Sequence, residues 1–306
     1  ISENKNFEKR ISVTPEIVKK YNNLGFKVIV EKDYGSHLGF NNEEYKICGA
    51  QIISDKKNII DKSDLILQLN LLSDDSLSFI KQDKFLIGSF SYYQNKEKLI
   101  QLSKKKINIF SLELLPRITR AQSMDILSSQ ANLAGYKAVI ESFANFSKVI
   151  PMMMTAAGTI PAAKVLVIGA GVAGLQAIAT AKRMGAIVFA TDVRIASKEQ
   201  VESLGGKFLT VEGSENMENE SGYAKESSEE FKKKQEELLS ETLKKIDIVI
   251  STALIPGKKA PIIIKETMID KMQPGSVIYD LAAAQGGNSA YTKVDEIVEK
   301  NGVKIL

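Results

Sequence analysis

The 306-residue chain is longer than one ordinary α/β core, which favours two domains. Its only cysteine, Cys48, and its only histidine, His37, exclude a disulfide framework, a cysteine metal cluster and a two-histidine metal site, so no metal is predicted. The formal net charge of +4 arises from Lys-rich stretches without the aromatic residues or motifs of nucleic-acid binding, which favours a solvated basic surface.

The first half of the chain alternates apolar strand-like runs with amphipathic helix-like runs. Residues 15–24 are predicted to form a helix, because Thr14 suits the N-cap position, Pro15 fits the first turn and Gly25 follows. Strands are predicted at residues 27–31, 64–69, 85–89 and 107–112. This alternation is typical of parallel α/β sheets.

A polar segment follows the last of these strands. Its side chains offer the donors and acceptors that a nicotinamide carboxamide and its ribose require. The residues concerned are Arg117, Gln122, Asp125 and Ser128. The alternative is a helix N-terminus capped by Ser123 and Asp125, and spacing alone slightly favours that plainer interpretation.

The second half continues the same alternation. Strands are predicted at residues 165–168, 187–191, 207–211, 247–251, 276–280 and 303–306, with a helix over residues 172–184. The stretch 149–181 contains a single charged residue, Lys164, and so could be mistaken for a membrane span, but Pro151, Pro161 and several glycines divide it into shorter pieces. Neither a transmembrane segment nor a signal peptide is predicted.

The most informative stretch, residues 164–174, reads Lys-Val-Leu-Val-Ile-Gly-Ala-Gly-Val-Ala-Gly. Its glycines follow a β-branched run and open a helix, which is the strand, turn and helix order of a dinucleotide-binding site. Gly169 would make the tight turn, Gly171 would let the backbone approach a diphosphate, and Gly174 would let the helix pack against the strand. The predicted diphosphate site comprises Gly169, Ala170, Gly171, Val172, Ala173 and Gly174.

Asp192 ends the next strand, close to the offset of about 20 residues expected of a ribose-binding acid. A carboxylate there accepts a hydrogen bond from the adenosine 2′-hydroxyl and repels a 2′-phosphate, so Asp192, with Val193 beside it, favours NAD(H) over NADP(H). The alternatives are a glycine turn that binds nothing and an FAD site. Flavoproteins usually carry this turn at the extreme N-terminus, whereas here it lies in the middle of the chain.

Residues 213–234 differ in character, since they are rich in Glu, Ser and Lys and include Tyr223. So polar a segment buries little apolar area and is expected to be a mobile excursion that leads into a helix. Tyr223 is either an ordinary surface tyrosine or part of a lid that closes on bound nucleotide.

Longer motifs accompany the glycine turn. They read Arg-Ile-Thr-Arg-Ala-Gln-Ser-Met-Asp-Ile-Leu-Ser-Ser-Gln at 117–130, Asn-Leu-Ala-Gly-Tyr at 132–136, Met-Met-Met-Thr-Ala-Ala-Gly at 152–158, Lys-Glu-Gln-Val-Glu-Ser-Leu-Gly-Gly at 198–206 and Thr-Ala-Leu-Ile-Pro-Gly at 252–257. With them the chain resembles, over nearly its whole length, the NAD(H)-binding domain I of proton-translocating nicotinamide nucleotide transhydrogenase.

The resemblance implies a homodimer in which each chain has two Rossmann-like domains with parallel sheets flanking a cleft, here residues 1–127 and 128–306. It also implies a nicotinamide end held by the polar segment, a ribose contact and a closing loop. The catalytic residues would be Gln122, Arg117 and Asp125, and the other coenzyme contacts Ser128, Asp192, Val193, Ala253 and Leu254, with Tyr223 on the closing loop.

The resemblance further implies hydride transfer from NADH to NADP+ on a separate NADP(H)-binding domain III, coupled to proton translocation by a transmembrane domain. This chain would be a soluble domain peripheral to a membrane, at the mitochondrial inner membrane or another organelle membrane in a eukaryote, or at the cytoplasmic face of the inner membrane in a bacterium. The family's opening strand before Glu8 is missing or degenerate here, and its segment after Leu306, which returns to the first domain, is absent. The first domain is therefore expected to look incomplete.

Alanine dehydrogenase, related in fold, is the enzymatic alternative, and a regulatory NAD(H)-sensing module is the non-catalytic one. An alanine dehydrogenase needs a group for the substrate carboxylate and a proton donor beside the reacting carbon. Arg10 matches that family's substrate arginine. However, Asn70 stands at its lysine, Ser89 stands at its catalytic histidine, and residues 283–285 read Ala-Ala-Gln near its aspartate. Hydride transfer between two nicotinamide rings needs no such groups, so the pattern favours transhydrogenation.

Overall fold

The computed structural model describes residues 1–116, 118–210, 229–255 and 257–306. Two compact units make up the chain, Ile1–Ile126 and Leu127–Leu306. Each unit alternates helices with strands, and each contains parallel sheet pairings. The prediction of an α/β fold with parallel sheets is therefore confirmed.

The described strands of the first unit form two separate parallel sheets. β1 (Ile29–Glu31) pairs with β2 (Gln51–Ile53), and β4 (Phe85–Gly88) lies between β3 (Leu65–Leu67) and β5 (Asn108–Ser111). The helices are α1 (Pro15–Asn23), α2 (Asn42–Ile47), α3 (Lys56–Lys62), α4 (Asp74–Ser78) and α5 (Tyr92–Lys104). Short 3-10 turns occupy Ser36–Leu38, Leu112–Leu114 and Thr119–Met124.

Side-chain caps begin the first two helices of this unit. The Thr14 hydroxyl accepts a hydrogen bond from the Ile17 backbone N–H at 3.5 Å, and Pro15 occupies the first turn of α1, as predicted. A capping box opens α2, in which Asn41 and Glu44 each accept the other's backbone N–H, at 3.0 and 2.7 Å. These bonds satisfy donors that the helices themselves leave unpaired.

The second unit begins with α6 (Ile126–Asn145) and a short antiparallel hairpin of β6 (Met153–Thr155) and β7 (Gly158–Ile160). The strands that follow are β8 (Lys164–Ile168), β9 (Ile187–Thr191), β10 (Lys207–Phe208), β11 (Ile248–Ser251), β12 (Val277–Asp280), β13 (Val298–Lys300) and β14 (Val303–Ile305). Over the described part of the chain they form one seven-stranded sheet in the order β10-β9-β8-β11-β12-β14-β13, parallel except for β13.

Four more helices complete this unit as described. They are α7 (Val172–Arg183), α8 (Ser197–Ser203), α9 (Glu229–Leu243) and α10 (Glu266–Ile269), and a 3-10 turn spans Ala283–Gln285. Among the helices of the described ranges, none combines the length and the apolarity that crossing a bilayer requires.

Strand β8 is the point from which the sheet grows in both directions. The chain adds β9 and β10 on one side of it and then returns to add β11 and β12 on the other. In doubly wound folds, ligands bind at such a switch point, beyond the carboxyl ends of the strands. The residues that directly follow β8 and β11 therefore lie where a ligand site is expected.

Strand β8 is buried on both faces. Val165 and Val167 pack in a core that includes residues of α6 and α7, whereas Leu166 and Ile168 pack against residues of α9 and α10. A strand covered on both faces reads as a continuous apolar run, which is the pattern that predicted it.

One strand is shorter than predicted, and several short strands were not predicted. The strand predicted at residues 207–211 is shorter than expected, since β10 ends at Phe208. Strands β2 and β13 were not predicted, and neither contains a buried residue. The β6–β7 hairpin is exposed along both strands, so it lacks the alternation of a half-buried strand.

Candidate functional site

The glycine turn between β8 and α7 leaves no room for a side chain at two of its positions. Gly169 has a φ of +94°, in the left-handed region that favours glycine, and a Cβ there would lie 2.6 Å from Thr252 Oγ1. A Cβ on Gly174 would lie 1.8 Å from the Gly169 carbonyl oxygen. Both glycines are therefore required by the turn itself.

Gly171 differs because the space in front of it is open. A Cβ built there meets a single described atom within 4 Å, which is Arg194 Nη2 at 3.9 Å. Gly171 is also the N-cap of α7, and it has no side chain with which to cap the first backbone N–H groups of that helix. Open space at the positive end of a helix suits an anionic group such as a diphosphate.

Asp192 lies directly after β9 and is hydrogen-bonded to the glycine turn. Its Oδ2 accepts from the Ala170 backbone N–H at 2.7 Å, and its Oδ1 accepts from the Arg194 backbone N–H at 2.8 Å. The Arg194 guanidinium also donates from Nε to Oδ1 and from Nη2 to Oδ2, both at 2.9 Å. The acid predicted from its spacing is thus fixed beside the turn, and Arg194, which no sequence pattern singled out, is its bidentate partner.

The surroundings of Asp192 keep its carboxyl group ionised at neutral pH. Burial pushes its pKa upward, since the side chain is 6% exposed, but the hydrogen bonds from Arg194 and Ala170 outweigh burial and leave the pKa below its ordinary value of 3.8. An ionised carboxylate beside an open helix terminus fits a ribose hydroxyl better than a phosphate.

The pH dependence of stability tests the hydrogen bonds to the Asp192 carboxylate. Because the folded pKa of Asp192 is lowered, the stabilisation it provides is complete above the ordinary value of 3.8 and is lost as the pH falls through the lower, folded value. Urea unfolding at a series of pH values should therefore show a steeper acid loss of stability in the wild-type protein than in Asp192→Asn. Parallel pH profiles would mean that these bonds do not shift the carboxyl group.

The backbone that follows β11 is held by the side chain of Asn288. Asn288 Oδ1 accepts from the Ala253 N–H at 3.0 Å, and Nδ2 donates to the carbonyl oxygens of Ala253 and Pro261, both at 2.9 Å. The neighbouring Thr252 Oγ1 donates to the Gly169 carbonyl oxygen at 3.1 Å. Asn288 thus fixes Ala253, a predicted coenzyme contact, on a segment that touches the glycine turn.

Asn288 is held in turn by a buried carboxylate at the end of β12. Asp280 Oδ2 accepts from the N–H groups of Asn288 at 2.6 Å and Ser289 at 3.0 Å, and from Thr292 Oγ1 at 2.6 Å. Its Oδ1 accepts from the Ala282 N–H at 3.0 Å. Sequence reasoning missed Asp280 and Asn288. The one available signal was the glycine pair before Asn288, whose φ values of +101° and +80° mark a tight backbone turn.

Three residues predicted for a nicotinamide end lie around the start of α6. Gln122 lies in the 3-10 turn Thr119–Met124, Asp125 stands between that turn and α6, and Ser128 lies in the first turn of α6. Asp125 also donates its backbone N–H to the Gln122 carbonyl oxygen at 3.2 Å. Asp125 therefore occupies the place where a helix cap is expected, so the plainer interpretation of this residue stays open.

The remaining predicted residues are Val193, Leu254, Arg117 and Tyr223. Val193 is half-buried next to Asp192, and Leu254 is exposed next to Ala253. Arg117 and Tyr223, together with most of the polar segment that contains Tyr223, lie outside the described residues.

In the first unit, Arg10 is engaged by a carboxylate from its own segment. Its Nε and Nη2 donate to Glu8 Oε1 and Oε2 at 2.9 and 2.7 Å, and these bonds hold the pKa of Glu8 at about 2. Asn70 Nδ2 donates to Glu3 Oε2 and Glu8 Oε2, both at 3.3 Å. A substrate carboxylate would have to displace Glu8 to form the same bidentate pair with Arg10.

Both halves of the chain match domain models of the same family. Residues 1–134 match the alanine dehydrogenase/PNT N-terminal domain, and residues 138–306 match the alanine dehydrogenase/PNT C-terminal domain. The chain belongs to the alanine dehydrogenase/PNT family. Membership agrees with the two-unit α/β fold and with the sequence motifs that suggested a transhydrogenase component.

Individual relatives of the alanine dehydrogenase/PNT family distinguish its two branches. The chain is 51% identical over 306 residues to an NAD(P) transhydrogenase subunit alpha protein of Rhodospirillum rubrum, covering 98% of this chain and 80% of that protein. It superposes on the crystal structure of transhydrogenase from Sinorhizobium meliloti with a TM-score of 0.88 and 43% identity, covering 100% of this chain and 84% of that one. Alanine dehydrogenase 2 of Staphylococcus aureus is 30% identical, with coverage of 92% and 71%. The resemblance to transhydrogenase is confirmed.

Proposed function

We propose that this chain is the NAD(H)-binding component of a proton-translocating NAD(P) transhydrogenase, which binds NADH and presents its hydride to NADP+ bound on a separate domain III. The observation that carries the proposal is the 51% identity, across 98% of the chain, to the Rhodospirillum rubrum protein named as an NAD(P) transhydrogenase subunit alpha. The open backbone at Gly171 and the ionised Asp192 support the coenzyme class, because they fit the diphosphate and the adenosine ribose of NAD(H).

In the proposed site each part of the coenzyme has its own set of contacts. The glycine turn at residues 169–174 holds the diphosphate, Asp192 and Val193 hold the adenosine ribose, and Ala253 and Leu254 lie alongside. The nicotinamide end is held by Arg117, Gln122, Asp125 and Ser128.

The chemistry required of this chain is orientation. Bound NADH supplies the hydride, and the reaction places no proton on the reacting carbon. Gln122, Arg117 and Asp125 would hold the carboxamide and ribose in one orientation, so that the nicotinamide ring faces a second coenzyme at reacting distance. An amide, a guanidinium and a carboxylate provide the mixed donors and acceptors for this task.

The first unit offers little support for the chemistry of an alanine dehydrogenase. Arg10, the match to that enzyme's substrate arginine, is paired with Glu8 through two of its nitrogens. Asn70 and Ser89 stand where that enzyme has its lysine and its catalytic histidine, and neither side chain is a general acid near neutral pH.

The proposal includes partners outside this chain. An NADP(H)-binding domain III would receive the hydride, and a transmembrane domain would couple that step to proton translocation, so the chain would work peripherally to a membrane. A homodimer is supported by large apolar side chains exposed on the β6–β7 hairpin and on α6, since such side chains are typical of protein interfaces. They are Met153, Met154, Ile160, Leu133 and Tyr136.

Removal of the Asp192 carboxylate tests the ribose contact. All four acceptor positions of this carboxylate are used by Ala170 and Arg194, so a ribose hydroxyl would have to replace one of the Arg194 bonds. Asp192→Ala should weaken NADH binding by about 1–3 kcal/mol, the scale of a charge-assisted hydrogen bond. Arg194→Met, which keeps the carboxylate, should cost less. Unchanged calorimetric affinity in Asp192→Ala would refute the contact.

Mixing the purified chain with an NADP(H)-binding domain III tests the function as a whole. NADH-dependent reduction of an NADP+ analogue is expected only when both proteins are present, while the chain alone should bind NADH and catalyse little. Binding without transfer would instead identify an NAD(H)-sensing module. Incubation with alanine and NAD+ is the second arm, since NADH formation without any partner would identify an alanine dehydrogenase.

A further inference from the structure

Gly135 lies in the middle of α6, where glycine costs about 0.5–1 kcal/mol relative to alanine. Helix α6 crosses the start of α7 so closely that a Cβ on Gly135 would lie 2.1 Å from the Ala173 carbonyl oxygen. It would also lie 2.9 Å from the Ala173 carbonyl carbon, and these backbone atoms cannot move without shifting α7. Because Ala173 belongs to the glycine turn, α6 rests directly on the segment proposed to hold the diphosphate.

A hydrogen bond beside this crossing joins the same two helices. Asn132 Nδ2 donates to Gln176 Oε1 at 3.1 Å, and Gln176 Nε2 donates to Thr180 Oγ1 at 3.0 Å, which orients the Gln176 amide. One turn beyond Gly135, Ala138 and Val139 are fully buried in the core that also includes residues of α7. The contact between the helices therefore has a defined register as well as a defined distance.

Ser128 lies on the same face of α6 as this crossing, because it precedes Asn132 by four residues and Gly135 by seven. Two helical turns separate Ser128 from Gly135, about 10 Å along the axis. One end of this span carries a residue proposed for the nicotinamide end, and the other end rests on the diphosphate turn. The first turns of α6 are thus a spacer between two places where one coenzyme is to be held.

We propose that Gly135 is a positioning residue that sets the separation between the nicotinamide-binding and diphosphate-binding segments. The inference rests on the proposed function, because it takes the residues that lead into α6 as the nicotinamide end. A side chain at position 135 would push the two helices apart, and a displacement of about 1 Å at such a site can cost about 100-fold in rate. Only glycine lets both segments engage the same coenzyme at once.

The test compares NADH with ADP-ribose, which has the adenosine, the diphosphate and the second ribose but lacks the nicotinamide. The dissociation constant of ADP-ribose divided by that of NADH measures how much affinity the nicotinamide adds. In Gly135→Ala this ratio should fall about tenfold, while the dissociation constant of ADP-ribose changes little. With domain III present, the rate of hydride transfer at saturating NADH should fall at least as far.

Ala138→Gly is the matched control, since it weakens α6 at a buried position one turn away without adding an atom at the crossing. The ratio should keep its wild-type value in this variant. A folded Gly135→Ala protein with the wild-type ratio would overturn the proposal, and so would an equal fall of the ratio in Ala138→Gly.

Variants of the hydrogen-bonded pair Asn132 and Gln176 also test the proposed spacing, and they remain informative if Gly135→Ala fails to fold. Asn132→Gln lengthens one partner and Gln176→Asn shortens the other, so each single change should lower the ratio and the double change should restore it. Single variants with the wild-type ratio, or a double variant no better than they are, would overturn the proposal. These binding measurements need no domain III. A wild-type chain that binds both ligands but never reduces the NADP+ analogue would refute the proposed function. The ratio of the two dissociation constants would still test the role of Gly135.

Discussion

Gly171→Ala is expected to lose most of its NADH binding while keeping its stability, and Gly174→Ala is expected to lose stability as well as NADH binding. The difference follows from what a Cβ would meet. At Gly171 it would point into open space, with Arg194 Nη2 3.9 Å away, and would occupy the approach of the diphosphate to the backbone. At Gly174 it would lie 1.8 Å from the Gly169 carbonyl oxygen, inside the turn.

Calorimetry and thermal unfolding together separate the two outcomes. Gly171→Ala should weaken NADH binding by about 1.5–3 kcal/mol, the scale of hydrogen bonds to a charged group, which corresponds to about ten- to a hundredfold in the dissociation constant. Its unfolding temperature should stay close to that of the wild type. Gly174→Ala should lose at least about 1–3 kcal/mol of stability through overpacking. Wild-type affinity in Gly171→Ala would mean that the diphosphate binds elsewhere.

The largest loss of stability is expected at Asp280, which is 4% exposed and accepts hydrogen bonds from three backbone N–H groups and one hydroxyl. Asp280→Ala would leave these buried donors without an acceptor, and each such group costs about 1–3 kcal/mol. We expect a loss of at least about 3 kcal/mol in the free energy of unfolding, measured with urea at neutral pH.

Thr292→Val is the matched control for Asp280→Ala. It keeps the shape of the side chain but removes one of the four donors, so a loss of about 1 kcal/mol is expected. Because Asp280 positions Asn288, and Asn288 positions Ala253, Asp280→Ala protein that remains folded should also bind NADH more weakly than Thr292→Val does. Equal stability in the two variants would show that the carboxylate does not organise this segment.

Local sequence signals were sufficient for the glycine turn and its acid. The apolar run of β8, the three glycines and Asp192 all belong to one strand, helix and strand unit, in which turn chemistry and periodicity act over short distances along the chain. The steric requirement at Gly174 is of this kind, because the conflicting carbonyl oxygen belongs to Gly169 of the same turn, whereas the atom nearest to a Cβ on Gly169 comes from the distant Thr252.

The contacts that support the turn could not be predicted in this way, because they join distant parts of the chain. Asn288 and Ala253 are 35 residues apart, and the hydrogen bond between Asn132 and Gln176 spans 44 residues. A buried asparagine that hydrogen-bonds to the backbone of another segment belongs to no periodic pattern in the sequence. Arg194 was missed for a different reason, since a basic residue after a strand reads as solvated surface until its carboxylate partner is seen.

In the proposed function, the coenzyme held by this chain gives its hydride directly to a second coenzyme carried by another protein module. The measurement that tests it most directly uses NADH with deuterium in place of both hydrogens on the reactive ring carbon, mixed with the wild-type chain and an NADP+-loaded domain III in ordinary water. Mass spectrometry of the reduced NADP product should find one deuterium in every molecule formed, because direct transfer involves no exchange with solvent. A product that carries hydrogen from water, or no reduced product at all, would contradict the proposed direct transfer.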